Sequence, residues 1–415
     1  MRTATSKIDR HGAESLRDEG SELRFPPLPE IPRARYLDAS LFDAEIDKVF
    51  RRSWLAVGHV SEYKSEGSYR LLDIPFAPVV VVKGKDGKLR AFLNTCRHRA
   101  ATVLKEKEGC VKTLSCQYHG WTYDLAGKLI GVTSPESFAD LDFEAHSLVS
   151  LRCELWGGFV FINFDPEALP LLDWLAPLAD RYASMVVPDP DKPLRIAAKM
   201  SWEVNCNWKA MAENFAESYH VEYIHSETVT KMVDASRGDY HLYPGAHGTF
   251  VNYYIPKDEI AWEGSTATVA DRLPEMPGMT DPKFDAAAYS NLCFPNSFFN
   301  FLKSGHNLIQ IWPHDVDHCR LDLTLFGVDW GDGPRPAEWE AICAGYEVVE
   351  LEDISCMSSI QQSLRADPDR GVPFGAREAL LYQMHAEIDR LVGSKNIASR
   401  LRVPDIDLLN KFIVD

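Results

Sequence analysis

The chain has 415 residues, 45% of them hydrophobic and 25% charged, a net charge of −17 and nine cysteines. That length exceeds one average domain, so two are expected, and the composition is that of an ordinary globular protein. The acidic balance argues against a nucleic-acid or anionic-membrane partner. No apolar run is long enough for a spanning helix, and scattered cysteines behind a polar N-terminus lead us to expect reduced thiols in the cytoplasm.

In chain order, residues 1–35 read as a loose arm, polar and then proline-rich at Pro26, Pro27, Pro29 and Pro32. Ser40 is expected to cap a helix from about Leu41 to Phe50, with Leu41, Ile46, Val49 and Phe50 on its apolar face. From Trp54 the period shifts toward two. The runs LAVGHV, YRLLDI, PVVVVK and LRAFLNT read as strands, with Asp86-Gly87 turning the last pair into a hairpin. WTYDLAGKLIG and LWGGFVFINF continue this all-β block to about Phe164. We therefore expect an N-terminal arm and helix over 1–51, an all-β domain over 52–164 and a second domain over 165–415.

That second part mixes types, which makes the whole an α+β protein. LLDWLAPLADRYASM reads as helix, and Trp202 to His225 as helical in its middle. NLCFPNSFFNFL, NLIQIWPHD and CRLDLTLFGVDW read as antiparallel strands, and a long amphipathic helix spans about Pro336 to Leu364. Residues 230–290 are too long for a structureless connector, so a mobile lid or an inserted element is expected there.

The chemistry concentrates in two stretches. The first holds Cys96-x-His98, seventeen further residues, then Cys116-x-x-His119. Two thiolates and two imidazoles suit tetrahedral zinc or a Rieske [2Fe–2S] cluster. A zinc finger keeps like ligands together, whereas here each pair is a Cys and then a His. Two such loops can place both sulfurs on an inner iron and both imidazoles on an outer one. With the Gly120-Trp121-x-Tyr123-Asp124 tail, the pattern resembles the Rieske signature.

The second stretch is WEVNCNWKAMAENFAESYHVEYIH, residues 202–225. On one continuous helix Glu213, Glu217 and His220 would share a face, at i, i+4 and i+7. His225 would sit about 140° from His220, so both can hold one ion only if the helix ends or distorts between them. Taken alone, two helical histidines are more often surface or core groups than ligands. The whole segment, however, resembles the catalytic motif of the Rieske non-haem iron oxygenases through Asn207-Trp208-Lys209, Glu213-Asn214, Glu217, Tyr219-His220 and His225.

That resemblance implies a curved antiparallel sheet gripping a helix as the catalytic domain, behind the Rieske domain. It implies that His220 and His225 are two arms of a 2-His-1-carboxylate site for mononuclear Fe(II), open to O₂ and substrate. The third arm is expected from Glu350, Glu352 or Asp353. The acidic pair followed by Ile354, with Gln361 later, matches the family at Asp353, and Glu352 is the fallback. Glu217 matches the acid that bridges His220 to His119 of a neighbouring subunit in a head-to-tail homotrimer. Tyr118 is placed to assist it, and Asn214 joins the catalytic set. A reductase using NAD(P)H, with or without a ferredoxin, would supply electrons.

The expected substrate is a small aromatic molecule, given the aromatic residues Tyr253, Tyr254, Phe294, Phe298, Phe299, Phe301 and Trp312. The alternative is a quaternary ammonium compound, held by cation–π contact. Glu rather than Asp at 217 favours that alternative, because the Glu-x-Tyr-His form occurs among relatives that demethylate such amines. A bare electron carrier would not need the remaining three hundred or so residues.

Overall fold

Asp38, not Ser40, starts the first helix. Its carboxylate accepts the Leu41 N–H at 3.0 Å, and α1 (Ala39–Glu45) runs on into one π turn, Ile46–Phe50. The structure, a computed structural model, describes residues 27–186, 189, 191–256, 269–279 and 287–404. Residues 1–26 of the expected arm, and 257–268 and 280–286 of the expected lid region, lie outside the described residues. By its contacts the chain forms two compact units, Arg51–Leu171 and the remainder (Met1–Phe50 with Leu172–Asp415).

The remainder opens with β1 (Ile31–Pro32) ahead of α1. The Arg51–Leu171 unit is all-β. Its strands are β2 (Leu55–His59), β3 (Ser68–Ile74), β4 (Ala77–Lys83), β5 (Leu89–Leu93), β6 (Glu108–Cys110), β7 (Leu114–Ser115), β8 (Thr122–Tyr123), β9 (Leu129–Gly131), β10 (Ser150–Trp156) and β11 (Phe159–Asn163). Seven of them form one antiparallel sheet in the order β2-β11-β10-β5-β4-β3-β6, and β7-β8-β9 form a small second sheet. Val79 to Val82 of β4 are all at most 1% exposed, as expected where a β-branched run is covered on both faces. Val80, Val82, Phe92, Leu114, Trp121, Tyr123 and Leu129 form the core that carries Cys96 and Cys116.

The larger unit continues with three short helices, α2 (Leu171–Leu175), α3 (Leu178–Arg181) and α4 (Ala183–Val186), where one longer helix was expected. Pro177 lies between the first two and removes a backbone donor from any continuous helix. Then come β12 (Leu194–Val204), α5 (Trp208–Asn214), α6 (Val221–Ile224), β13 (Val233–Leu242), β14 (Gly248–Tyr254), β15 (Ala287–Cys293), β16 (Ser297–Phe301), β17 (His306–Pro313), β18 (Cys319–Val328), α7 (Glu338–Ala366), β19 (Gly371–Val372) and α8 (Ala379–Val392). One antiparallel sheet holds seven strands in the order β12-β18-β17-β16-β15-β14-β13. Residues 233–242 and 248–254, expected from sequence to belong to a mobile lid or an inserted element, are thus two sheet strands.

Two devices set α5 against α7. α5 packs on β17, β18 and α7, and Gln361 of α7 accepts the Asn207 N–H at 3.1 Å, at the capping residue of α5. Trp339, near the start of α7, docks on β18, where a Cβ on Gly327 would stand 2.6 Å from its ring. From the other side, α1 supplies Glu45 (0% exposed) to Lys209 Nζ at 2.9 Å and to Trp208 Nε1 at 2.8 Å. These contacts fix where the two histidines of the 202–225 stretch stand relative to Asp353.

Candidate metal centres

The two Cys/His loops fold alike. Cys96 N–H donates to Ala101 O at 2.8 Å while Ala100 N–H donates to Cys96 O at 3.0 Å. Cys116 N–H donates to Trp121 O at 2.8 Å while Gly120 N–H donates to Cys116 O at 2.9 Å. Each turn closes on a left-handed residue, Ala100 at φ +59° and Gly120 at φ +70°. For Ala100 that conformation costs on the order of 1 kcal/mol, a strain held by the surrounding loop. The turns bury Cys96 and Cys116 (4% and 2% exposed) and leave His98 and His119 half-exposed.

The two imidazole rings lie 4.8 Å apart, and His98 stacks on Trp121 at 7°. His98 Nδ1 is buried and has no hydrogen-bond partner, as suits a nitrogen kept for a metal. Tyr123 OH accepts the Arg97 N–H at 3.0 Å and lies 3.4 Å from Cys96 Sγ. Tyr118 is 57% exposed, its ring 3.8 Å from that of His119 and beneath the Arg99 guanidinium. Inner sulfurs and outer imidazoles on two matched loops are the donor set of a [2Fe–2S] cluster with mixed ligation.

In the other unit the expected common face for Glu213, Glu217 and His220 does not form, because the helix stops. Glu217 Oε2 accepts the backbone N–H of Tyr219 and of His220, so its side chain competes with the helical ladder and breaks it. Glu213 turns away into a buried network. It accepts from Tyr36 OH at 2.9 Å and pairs with His385 Nε2 at 2.8 Å. Arg35 Nε, an obligate donor, lies 3.1 Å from His385 Nδ1, so that nitrogen accepts and Nε2 carries the proton. Burial pushes the Glu213 carboxyl up to about 8.

The break yields α6, a single helical turn with His220 before it and His225 after it. Their rings lie 5.2 Å apart, edge to face at 71°. Each Nδ1 is held by a carboxylate, His220 by Glu217 and His225 by Glu352 at 2.7 Å. Thr228 Oγ1 donates to the same Glu352 oxygen at 2.7 Å. A carboxylate on Nδ1 fixes the proton there and leaves the lone pair on Nε2.

Both Nε2 atoms then point at Asp353 Oδ1, 3.5 Å from His220 and 3.0 Å from His225. Asp353 is 3% exposed, and that oxygen has no hydrogen-bond partner. Three ligand atoms within 4.8 Å of one another, all offering lone pairs, repel one another unless a cation sits among them. The residues therefore fit a mononuclear divalent metal with an open face. Asn214, the last residue of α5, has a buried Nδ2 without a partner. From the sequence Glu352 is expected only as a fallback ligand, and Thr228 carries no signal of its own. The signal for the clamp was an acid one position before Asp353 on the same helix.

Two family profiles match the chain: a Rieske [2Fe-2S] domain over residues 53–143 and the catalytic domain of ring hydroxylating alpha subunits over residues 192–394. The benzene 1,2-dioxygenase subunit alpha of Pseudomonas putida is 30% identical over 379 residues, covering 83% of this chain and 82% of the relative. The chain belongs to the Rieske non-haem iron oxygenases. The carnitine monooxygenase oxygenase subunit of Acinetobacter pittii is 27% identical over 344 residues, covering 82% of this chain and 86% of the relative. The fold is also that of a solved quaternary ammonium Rieske monooxygenase, at a TM-score of 0.72 and 22% identity, over 87% of this chain and 95% of that one. This Rieske oxygenase is thus an oxidoreductase that incorporates dioxygen, in a family characterised by a [2Fe–2S] cluster and a non-haem iron. Among its described residues, no helix is long and apolar enough to cross a membrane.

Proposed function

We propose that this chain is the terminal oxygenase component of a cytoplasmic multicomponent system that hydroxylates a small aromatic substrate. Electrons reach it from NAD(P)H through a reductase, with or without a ferredoxin. When bound, the cluster relays single electrons and the mononuclear iron activates dioxygen. Cys96, His98, Cys116 and His119 would hold the first, and His220, His225 and Asp353 would hold the second. The observation that carries the reading is the convergence of both Nε2 lone pairs on a buried, unpartnered Asp353 oxygen.

The chain's own groups do the orienting. Glu217 and Glu352 hold the protons of His220 and His225 on Nδ1, so in the neutral rings both Nε2 atoms carry the free lone pair. Glu217 is also the bridging residue: in a head-to-tail homotrimer it accepts a hydrogen bond from His119 of the neighbouring copy, assisted by the exposed Tyr118. Asn214, whose buried amide nitrogen has no partner, completes the catalytic set and helps position what binds there. A second reading, oxidative demethylation of a quaternary ammonium compound, is favoured by Glu rather than Asp at 217 and by the carnitine monooxygenase relative.

Anaerobic metal analysis of the purified protein tests the core of the proposal, with roughly two sulfides and three irons per chain expected. Zinc in their place, with no visible absorption, refutes it. Turnover with a generic reductase on aromatic and trimethylammonium compounds separates the two substrate classes.

A further inference from the structure

One face of α7 carries more than the metal ligand. Tyr346, Glu350 and Asp353 stand at i, i+4 and i+7, so all three point the same way. At about 1.5 Å rise per residue, Glu350 lies about 4.5 Å and Tyr346 about 10.5 Å from Asp353 along the helix axis. That span is the length of one aromatic ring and a substituent.

Glu350 is only 2% exposed, and its Oε2 is buried with no hydrogen-bond partner. A carboxyl group taken out of water without a partner is costly, and it persists where a ligand completes it. Tyr346 lies close enough to interact with Glu350. Its hydroxyl accepts from Asn307 Nδ2 at 3.0 Å, and Asn307 Oδ1 in turn accepts from Asn300 Nδ2 at 2.7 Å. The two amides therefore fix the Tyr346 oxygen as an acceptor and leave its own proton to donate elsewhere.

We propose that Tyr346 and Glu350 form the polar end of the substrate site and select a substrate that carries a hydroxyl group on its apolar ring. The proposal rests on the oxygenase reading above and names the substrate class of that same site. One hydroxyl accepts from Tyr346 and donates to Glu350, satisfying both at once. A bare hydrocarbon leaves both unpaired, which is the situation in which a site discriminates most strongly. A quaternary ammonium group makes neither hydrogen bond and leaves the Tyr346 proton unpaired.

The test is anaerobic calorimetry on the holoenzyme with three probes of similar size: ethylbenzene, 4-ethylphenol and benzyltrimethylammonium. 4-Ethylphenol is expected to bind at least about tenfold more tightly than ethylbenzene, as one well-made buried hydrogen bond can supply. Tyr346→Phe and Glu350→Leu should each cut that ratio below about threefold. Glu350→Leu should also raise Tm, because it removes a buried group without a partner, whereas loss of a merely structural contact would lower it. Equal affinities for the two neutral probes, or no measurable binding of 4-ethylphenol at millimolar concentration, overturns the proposal. Tightest binding of benzyltrimethylammonium, lost in Glu350→Leu but kept in Tyr346→Phe, overturns it in favour of a cation site. If Glu350→Leu does not fold, an unchanged ratio in Tyr346→Phe is enough to reject it. Iron and sulfide content is measured on the same samples. A protein with both metals but no preference loses the handle alone, while one without them loses the oxygenase reading and the handle with it.

Discussion

Glu352→Gln separates the two roles an acid beside Asp353 can play. In the structure Glu352 Oε2 accepts from His225 Nδ1 and from Thr228 Oγ1, each at 2.7 Å, while Asp353 Oδ1 faces both Nε2 atoms. A hydrogen bond to a charged acceptor contributes about 1.5–3 kcal/mol when well shielded. The Glu352 side chain is 26% exposed, so water replaces part of that, and a Gln carbonyl in place of that one oxygen keeps both bonds but not the charge. Losing a partner of this kind typically weakens a metal site by about 10–100-fold. For Glu352→Gln we expect the lower half of that range, about 10–30-fold or roughly 1.4–2 kcal/mol. Asp353→Ala should abolish binding of the mononuclear metal outright. Anaerobic competition of Fe(II) against a chromophoric chelator measures both, with visible absorption of the cluster as the internal control. Loss in Glu352→Gln as complete as in Asp353→Ala would make Glu352 a ligand, and retention of iron in Asp353→Ala would remove Asp353 from the site. An affinity change below about threefold in Glu352→Gln would leave the clamp without a function.

Glu217→Gln should load both metals yet slow electron transfer between them by orders of magnitude, because an amide cannot stabilise imidazole charge as a carboxylate does. Rapid-mix single-turnover kinetics reads this, and an unchanged rate removes Glu217 from the path. Acid should destabilise the protein through His247 and His306, both fully buried and held down at about 4 by burial. Their ordinary value of about 6.5 lies above the folded one, so the unfolded chain takes up the proton first. Stability is therefore lost as pH falls from about 6.5 to about 4, by up to about 3 kcal/mol per histidine, and is unaffected above pH 7.5. Urea midpoints at pH 7.5, 6 and 5 check it, and a flat profile contradicts it. Lys209→Met should cost about 3–5 kcal/mol by stranding the buried Glu45 charge. Adding Glu45→Gln should recover part of that loss in chemical denaturation, and a single-mutant loss under 1 kcal/mol refutes the reading.

Local pattern made the all-β block legible. Alternating apolar runs, the Asp86-Gly87 turn and the Cys/His spacing all act between near neighbours, so β2 to β5 and the cluster loops follow from short-range rules. The strands over 233–254 are hard to read from sequence because Gly, Pro, Asp and Thr there look like loop, and although β13 and β14 pair locally, the next strand of the sheet, β15, begins only at Ala287. Asp38 was passed over as a cap because Ser40 stood nearer the apolar run, yet the carboxylate had the geometry to reach Leu41 N–H.

The sequence by itself determined which side chains are able to ligate a metal: two Cys/His pairs, two histidines five residues apart and an acidic turn on a long helix. Residue type decides what a group can ligate, and type is read directly from the chain. Only the tertiary structure decided how the acids divide the work. Glu213, Glu217, Glu350, Glu352 and Asp353 are chemically near-equivalent, and what distinguishes them is where the backbone points them. The helix break at Glu217 sends Glu213 to Tyr36 and His385 and brings His220 round to face His225. The seating of α7 on the sheet and on Asn207 then places Asp353 between the histidines, Glu352 behind one of them and Glu350 in a buried position without a partner. Such long-range placement depends on packing between elements more than a hundred residues apart, which no local pattern encodes.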